Sequence, residues 1–349
     1  MMRGLILAAV LAVALGTDYN ATYNASPIWK VFCPNYIYHG RVDSLVNPGN
    51  YSGHIHKVFG GNHFSASKQE RSFMQVYGIT RRSTCTSCSL REVDNSNYWT
   101  SDLYYQWPNG SLSLVPNSGL TVYYLSRGGS TGANRTNPNW QPIPRGLRML
   151  AGNTLRRAPD NSSDSKAVSY YCLTDYNVQA PLEQQTFPTK DNFCKNGLRA
   201  QVWFPMCWNG KDLDSADHKS HMHYPLNYDN NPQGGDCPNS HPVRIPGIFV
   251  EHIYSVDQFP HGDGTRQPFV WSNGDQNGNG FHADFVSAWV PEVMAAAIAH
   301  PNCSNDNPLM AFGNRVDQCP PLAPFVKDNY GSNVDCQLSH LMPTTENLG

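Results

Sequence analysis

Apolar and polar positions alternate in short bursts along this chain rather than in long periodic stretches. The runs WKVFCPNYIYHG, HIHKVF, LYYQW, LSLVP, LTVYYL, GLRMLAG, VSYYCL, LRAQVWFP, GIFVEHIYSV and PFVWSNG are brief and mostly rich in β-branched and aromatic residues. Turn residues bound them, so each predicts a strand. TVYY and QVWF are apolar enough to expect burial on both faces. Residues 126–145 and 157–167 carry Gly, Pro, Asn and Ser and are expected as loops. One stretch, HADFVSAWVPEVMAAAIAHP, breaks the pattern and predicts a short helical segment over 284–299. Asp284 would cap its first part, Pro291 would start a second part after a break, and Pro301 would stop it. The whole reads as a mainly β fold with long loops around a β-sandwich or jelly-roll-like core.

The ends and the composition add to this picture. Residues 1–16, MMRGLILAAVLAVALG, place Arg3 before an apolar run and small residues after it, the layout of a secretory signal peptide. The run is too short to span a bilayer, which takes about 20 apolar residues. Residues 17–300 then read as a single β-rich domain, and 301–349 as a Cys- and Pro-rich tail packed on it. The net charge is −2 and Lys and Arg do not cluster, so nucleic acid is not an expected partner, and neither is a membrane once the signal is removed. Ten cysteines behind a signal peptide predict a disulfide-stapled domain whose pairing is left open. Sequons at Asn20, Asn24, Asn50, Asn109, Asn134, Asn161 and Asn302 predict a glycoprotein that is secreted, to the extracellular space or cell wall.

Three segments bear the candidate chemistry. SGHIHKVF sets His54 and His56 two positions apart, which in a strand puts both imidazoles on one face. DLDSADHKSHMHYP holds Asp214, Asp217, His218 and His221, and NGFHADF holds His282 and Asp284. If these converge, His54, His56, Asp214, His218, His221, His282 and Asp284 form an acid–base constellation for bond cleavage. The same residue types suit a metal ion, copper or zinc, bound by His54, His56, His221 and His282 or Asp284, although no HExxH is present. The bland alternative is that they cap loops. Trp99, Tyr104, Tyr105, Trp107 and Trp208 are candidate platforms for sugar rings. Arg199 could neutralise a uronate carboxylate, and Asp275 is a further candidate contact. Three motifs fail on context: GGSTG (Gly128 to Gly132) is expected as a loop, CTSC (Cys85 to Cys88) as structural cystines, and DQNGNG (Asp275 to Gly280) as a turn.

Several long blocks occur in order: RVDSLVNPGNYSGHIHKVFGGNHFS, STCTSC, SNYWTSDLYYQWPNGSLSLVPNSGLTVYYLSR, PRGLRMLAG, GLRAQVWFPMCWNGKDLDSADHKSHMHYP and FVWSNGDQNGNGFHADFVSAW. Together, from about residue 29 to 289, they resemble DUF1996, a secreted, mostly fungal domain of unknown function often fused to WSC carbohydrate-binding modules. The resemblance implies an extracellular setting close to cell-wall polysaccharide and imports no activity. The expected function is therefore a secreted carbohydrate-active protein cleaving polysaccharide, as hydrolase or lyase. The alternatives are a non-catalytic glycan-binding protein and a copper- or zinc-dependent one.

Overall fold

Nearly every apolar run above becomes a strand. The computed structural model describes residues 28–65, 83–125, 140–173, 185–188, 194, 196–226, 235–260, 268–303, 316–326 and 336. In chain order the strands are β1 (Ile28–Cys33), β2 (Tyr38–Gly40), β3 (His56–Gly60), β4 (Asn97–Ser101), β5 (Leu103–Gln106), β6 (Leu112–Leu114), β7 (Asn117–Leu125) and β8 (Arg148–Gly152). They continue as β9 (Val168–Cys172), β10 (Leu198–Trp203), β11 (Cys207–Trp208), β12 (Met222–His223), β13 (Val243–Arg244), β14 (Gly247–Tyr254), β15 (Phe269–Trp271) and β16 (His282–Val286). The α-helices are α1 (Ser163–Lys166) and α2 (Pro291–Ala299).

Two five-stranded antiparallel sheets make the sandwich, ordered β1-β7-β14-β10-β9 and β2-β3-β4-β16-β8. Alternation along the strands turns one row set of each sheet inward. The first sheet sends in Trp29, Val122, Tyr124, Val250, Ala200 and Tyr170, all at most 1 % exposed. The second answers with Phe59, Tyr98, Phe285 and Met149, which share one row of its register. Phe285 meets Phe204 at 6.2 Å between ring centroids, and Phe59 meets His252 at 5.4 Å. Polar groups inside are paired across the sheets: Thr100 Oγ1 lies 2.7 Å from His252 Nδ1, and Trp289 Nε1–H donates to Tyr124 Oη at 2.8 Å. The smaller sheets β12-β11-β13 and β15-β5-β6 complete the architecture.

The structure corrects three expectations. Residues 282–286 form β16, not the start of a helix, because β4 and β8 flank the segment and pair with it on both edges. Tertiary pairing there overrides the helical reading that began at Asp284. The second half holds: α2 opens with Pro291 at its first position. QVWF is buried on both faces, but in TVYY Thr121 and Tyr123 stay half-exposed on the outer face of the first sheet. The 157–167 loop contains α1, capped by the Ser162 side chain, which accepts from Ser165 N–H.

The ten cysteines form five disulfides, Cys33–Cys88, Cys85–Cys336, Cys172–Cys194, Cys207–Cys237 and Cys303–Cys319. The CTSC cysteines thus bind different partners, as structural cystines do. Tail residues pack on the sandwich, with Val316 and Leu322 fully buried and Arg91 N–H donating to Phe325 O at 2.8 Å. Among the described residues no helix is long and apolar enough to cross a membrane.

Candidate metal centre

Register decides which side chains meet. His56 on β3 stands opposite Ser101 on β4, and His282 on β16 stands opposite Gly152 on β8. Ala283 faces Thr100, so His282 comes level with Ser101. The row across the sheet therefore reads His56, Ser101, His282, Gly152, with small residues leaving room beside each imidazole. Val58, Trp99 and Asp284 lie two positions on and share this face, which points away from the first sheet. Val42 and Leu45 pack over it against Val58 and Trp99.

His54, just ahead of β3, returns over the row. Its Nε2 lies 3.0 Å from His282 Nε2, and His56 Nε2 lies 3.1 Å from the same atom. His56 Nδ1–H donates to Val42 O at 2.7 Å, which turns the Nε2 lone pair inward. His282 Nδ1–H points to Gly280 O at 3.3 Å, with Ser101 Oγ at 3.2 Å, and turns its Nε2 inward too. The other His282 tautomer would set a ring lone pair against the Gly280 carbonyl. Such second partners are what fix metal-ligating imidazoles. Burial keeps all three rings neutral. It drives His56 and His282 well below the usual histidine range and His54 to about 4, with Arg41 adding to the effect on His54. A neutral imidazole is the form that binds metal.

The geometry fits an ion. Zinc bound at about 2.0–2.1 Å by imidazoles at tetrahedral angles sets ligand nitrogens about 3.3–3.4 Å apart, a few tenths of an ångström beyond the 3.0 and 3.1 Å seen here. Asp284 supplies the decisive second observation. It is fully buried, and neither carboxylate oxygen has a hydrogen-bond partner. Its Oδ2 lies 3.8 Å from His282 Nε2. Desolvation, then the charge of Asp43, raises its pKa well above the ordinary range. Asp43 is itself buried and accepts the N–H groups of Leu45 and Val46, each at 2.9 Å. Asp43, His56 and Asp284 form a second group with ligand atoms within 4.8 Å of one another. His54 is the half-buried member, so solvent reaches the group from its side.

The other histidine segment goes elsewhere. His221 Nε2–H donates to Arg148 O at 2.6 Å and Nδ1 faces Ser215 Oγ at 2.8 Å, so both ring nitrogens are engaged away from the three converging rings. The metal set that included His221 is corrected accordingly. Asp214 receives Arg148 Nη1 at 3.2 Å and holds His218 Nδ1 at 2.7 Å. His218 has a left-handed backbone (φ 56°) in the turn organised by Asp217. This turn runs beside β8. Lys219 Nζ donates to Gly152 O at 2.7 Å, across from His282, and to Asp164.

The expected sugar platforms fare less well. Trp99 is fully buried and Tyr105 nearly so, stacked on Phe259. Trp99 is covered on the outer face of the second sheet by Val42 and Leu45, and Tyr105 belongs to the main core. Tyr104, Trp107 and Trp208 are half-buried, the two indoles donating to Ser113 Oγ and Asp212 O. Arg199 lies on the first sheet, ion-paired with Glu251 at 3.1 Å, away from the imidazoles. Asp275 is fully buried and accepts the N–H groups of Asn277 and Gly280, a turn as expected. Gly128 to Gly132 lie outside the described residues. Sequence reasoning missed Asp43, Ser101 and Arg41. Alternation in NYWTSD could have put Ser101 and Trp99 on one face, but nothing local could assign that face to the histidines.

The family model described as domain of unknown function DUF1996 matches residues 43–289. The chain belongs to this family. The matched span contains all three converging histidines and both buried carboxylates, and begins at Asp43 itself. No curated protein and no solved structure matches this DUF1996 chain.

Proposed function

We propose that this DUF1996 protein is a secreted metal-dependent protein that binds one transition-metal ion, zinc or copper, through His54, His56 and His282 with Asp284 beside them. The observation that carries this reading is the meeting of three inward-facing Nε2 atoms next to a buried carboxylate with no other partner. A buried, unpaired carboxylate is costly unless a cation compensates it. Three imidazoles and a carboxylate suit borderline ions far better than calcium or magnesium.

For its activity we propose cleavage of extracellular polysaccharide, the setting implied by the family resemblance. A bound ion of this class can activate water or polarise a substrate oxygen. Asp284 orients toward the same position. Asp214 holds His218 by Nδ1 and leaves Nε2 for proton transfer.

Elemental analysis of the secreted protein tests the metal. One zinc or copper per chain is expected, with His54→Ala and His56→Ala losing it and His221→Ala retaining it. A content far below one per chain, unchanged by these substitutions, overturns the reading. Incubation with a panel of wall polysaccharides tests the activity: new reducing ends or unsaturated products are expected from the loaded protein and not from His56→Ala.

A further inference from the structure

We infer that the ligand this site takes is a carboxylate-bearing sugar, a uronate, with its carboxylate on Arg41 and its ring against Tyr51; the inference rests on the metal reading above. Three separate segments bring cations to the two flanking histidines. Arg41 Nε–H donates to Ser52 O at 2.8 Å, and Ser52 Oγ in turn lies 3.4 Å from the backbone N–H of His54. Lys219 holds the Gly152 carbonyl opposite His282. Arg157 donates to Thr154 O and Asn273 O, and Asn273 donates to Gly280 O, two residues before His282.

These cations differ in what they have left to offer. Lys219 is already paired with Asp164. Arg157 spends its donors on Thr154 O, Arg156 O and Asn273 O. Arg41 is exposed and has no carboxylate partner among the described residues, so its Nη groups keep a planar fork for an oxyanion. Beside it, 5.8 Å from the guanidinium to the ring centre, stands Tyr51, one of the exposed large aromatics at 39 %. A flat ring next to a free guanidinium matches a sugar that carries a carboxylate: apolar C–H faces on the ring, charge on the fork. A bound ion adds positive charge beside Arg41, so anion binding should follow metal loading.

Titration of zinc-loaded and metal-free protein, after enzymatic removal of N-glycans because Asn50 adjoins Tyr51, with D-glucuronate, acetate, inorganic phosphate and D-glucose tests the inference. Glucuronate is expected to bind the loaded protein at least tenfold more tightly than glucose or acetate. Arg41→Gln should lose at least tenfold of that affinity and Tyr51→Ala several-fold, both keeping their zinc. Glucuronate no tighter than glucose, or phosphate tighter than glucuronate, overturns the uronate assignment while zinc content leaves the metal reading standing. Absence of both zinc and copper from every preparation, loaded ones included, overturns the metal reading instead. Undiminished glucuronate affinity in Arg41→Gln overturns the role of Arg41.

Discussion

Replacing Asp284 by Asn separates a ligand-binding carboxylate from a structural one, because the two make opposite predictions for the metal-free protein. The carboxylate is fully buried, and neither oxygen is hydrogen-bonded. Leaving a buried polar group unsatisfied costs about 1–3 kcal/mol, and more for a charged one. Asn keeps the volume and removes the charge, so Asp284→Asn should raise metal-free stability by about 1 kcal/mol or more at pH 7. The sign with pH follows from the raised pKa. Folding favours the protonated acid, so the wild-type penalty is absent below the unfolded value, near 3.9, and grows as pH rises toward the folded value. The advantage of Asn should therefore shrink as pH falls toward 4. In the loaded protein the advantage of Asn should fall by about 1.4 kcal/mol, since loss of an anionic ligand costs about tenfold in affinity. Denaturant unfolding followed by tryptophan fluorescence, with chelator and with saturating zinc, measures both arms. A metal-free Asp284→Asn protein destabilised by more than about 1 kcal/mol would refute the reasoning, because the carboxylate would then be holding the fold.

Other consequences are independent of the metal. Trp99→Ala should destabilise by about 3–5 kcal/mol, as for any large core side chain, which chemical denaturation would show; a change within about 0.5 kcal/mol would return Trp99 to the surface. His252 and His54 are held neutral by burial, His54 with a pKa near 4. Their contribution is present above the unfolded pKa of about 6.5 and lost as pH falls toward the folded values, so the thermal midpoint of metal-free protein should drop steeply between pH 6.5 and 4. Cys85→Ser with Cys336→Ser removes a cross-link between positions 251 residues apart and should cost about 2–5 kcal/mol and expose the tail to proteolysis, with little change in zinc content.

Legibility in the sequence followed the range of the interaction. Strand runs such as LTVYYL and LRAQVWFP carry their own period and β-branched content, so β7 and β10 could be read locally. The His54–His56 spacing was legible for the same reason, with one qualification: His56 begins β3, while His54 reaches the group from the preceding turn. What failed depended on partners. HADFV is a strand because β4 and β8 claim both its edges, and no local propensity reports that. Trp99 resembles a loop aromatic in SNYW, yet Val42 and Leu45 arrive from over fifty positions away to bury it. His221 sits in a histidine-rich segment as suggestive as that of His54. Its neighbours Arg148 and Ser215 satisfy both ring nitrogens, and only the path of the chain beside β8 determines that.

X-ray absorption at the zinc or copper edge of loaded protein tests the central claim most directly. The account predicts a first shell of three imidazole nitrogens near 2.0–2.1 Å with light oxygen ligands completing it, a signal that His54→Ala loses together with the ion. A shell of oxygens only, or one unchanged when His54, His56 or His282 is replaced, would contradict it.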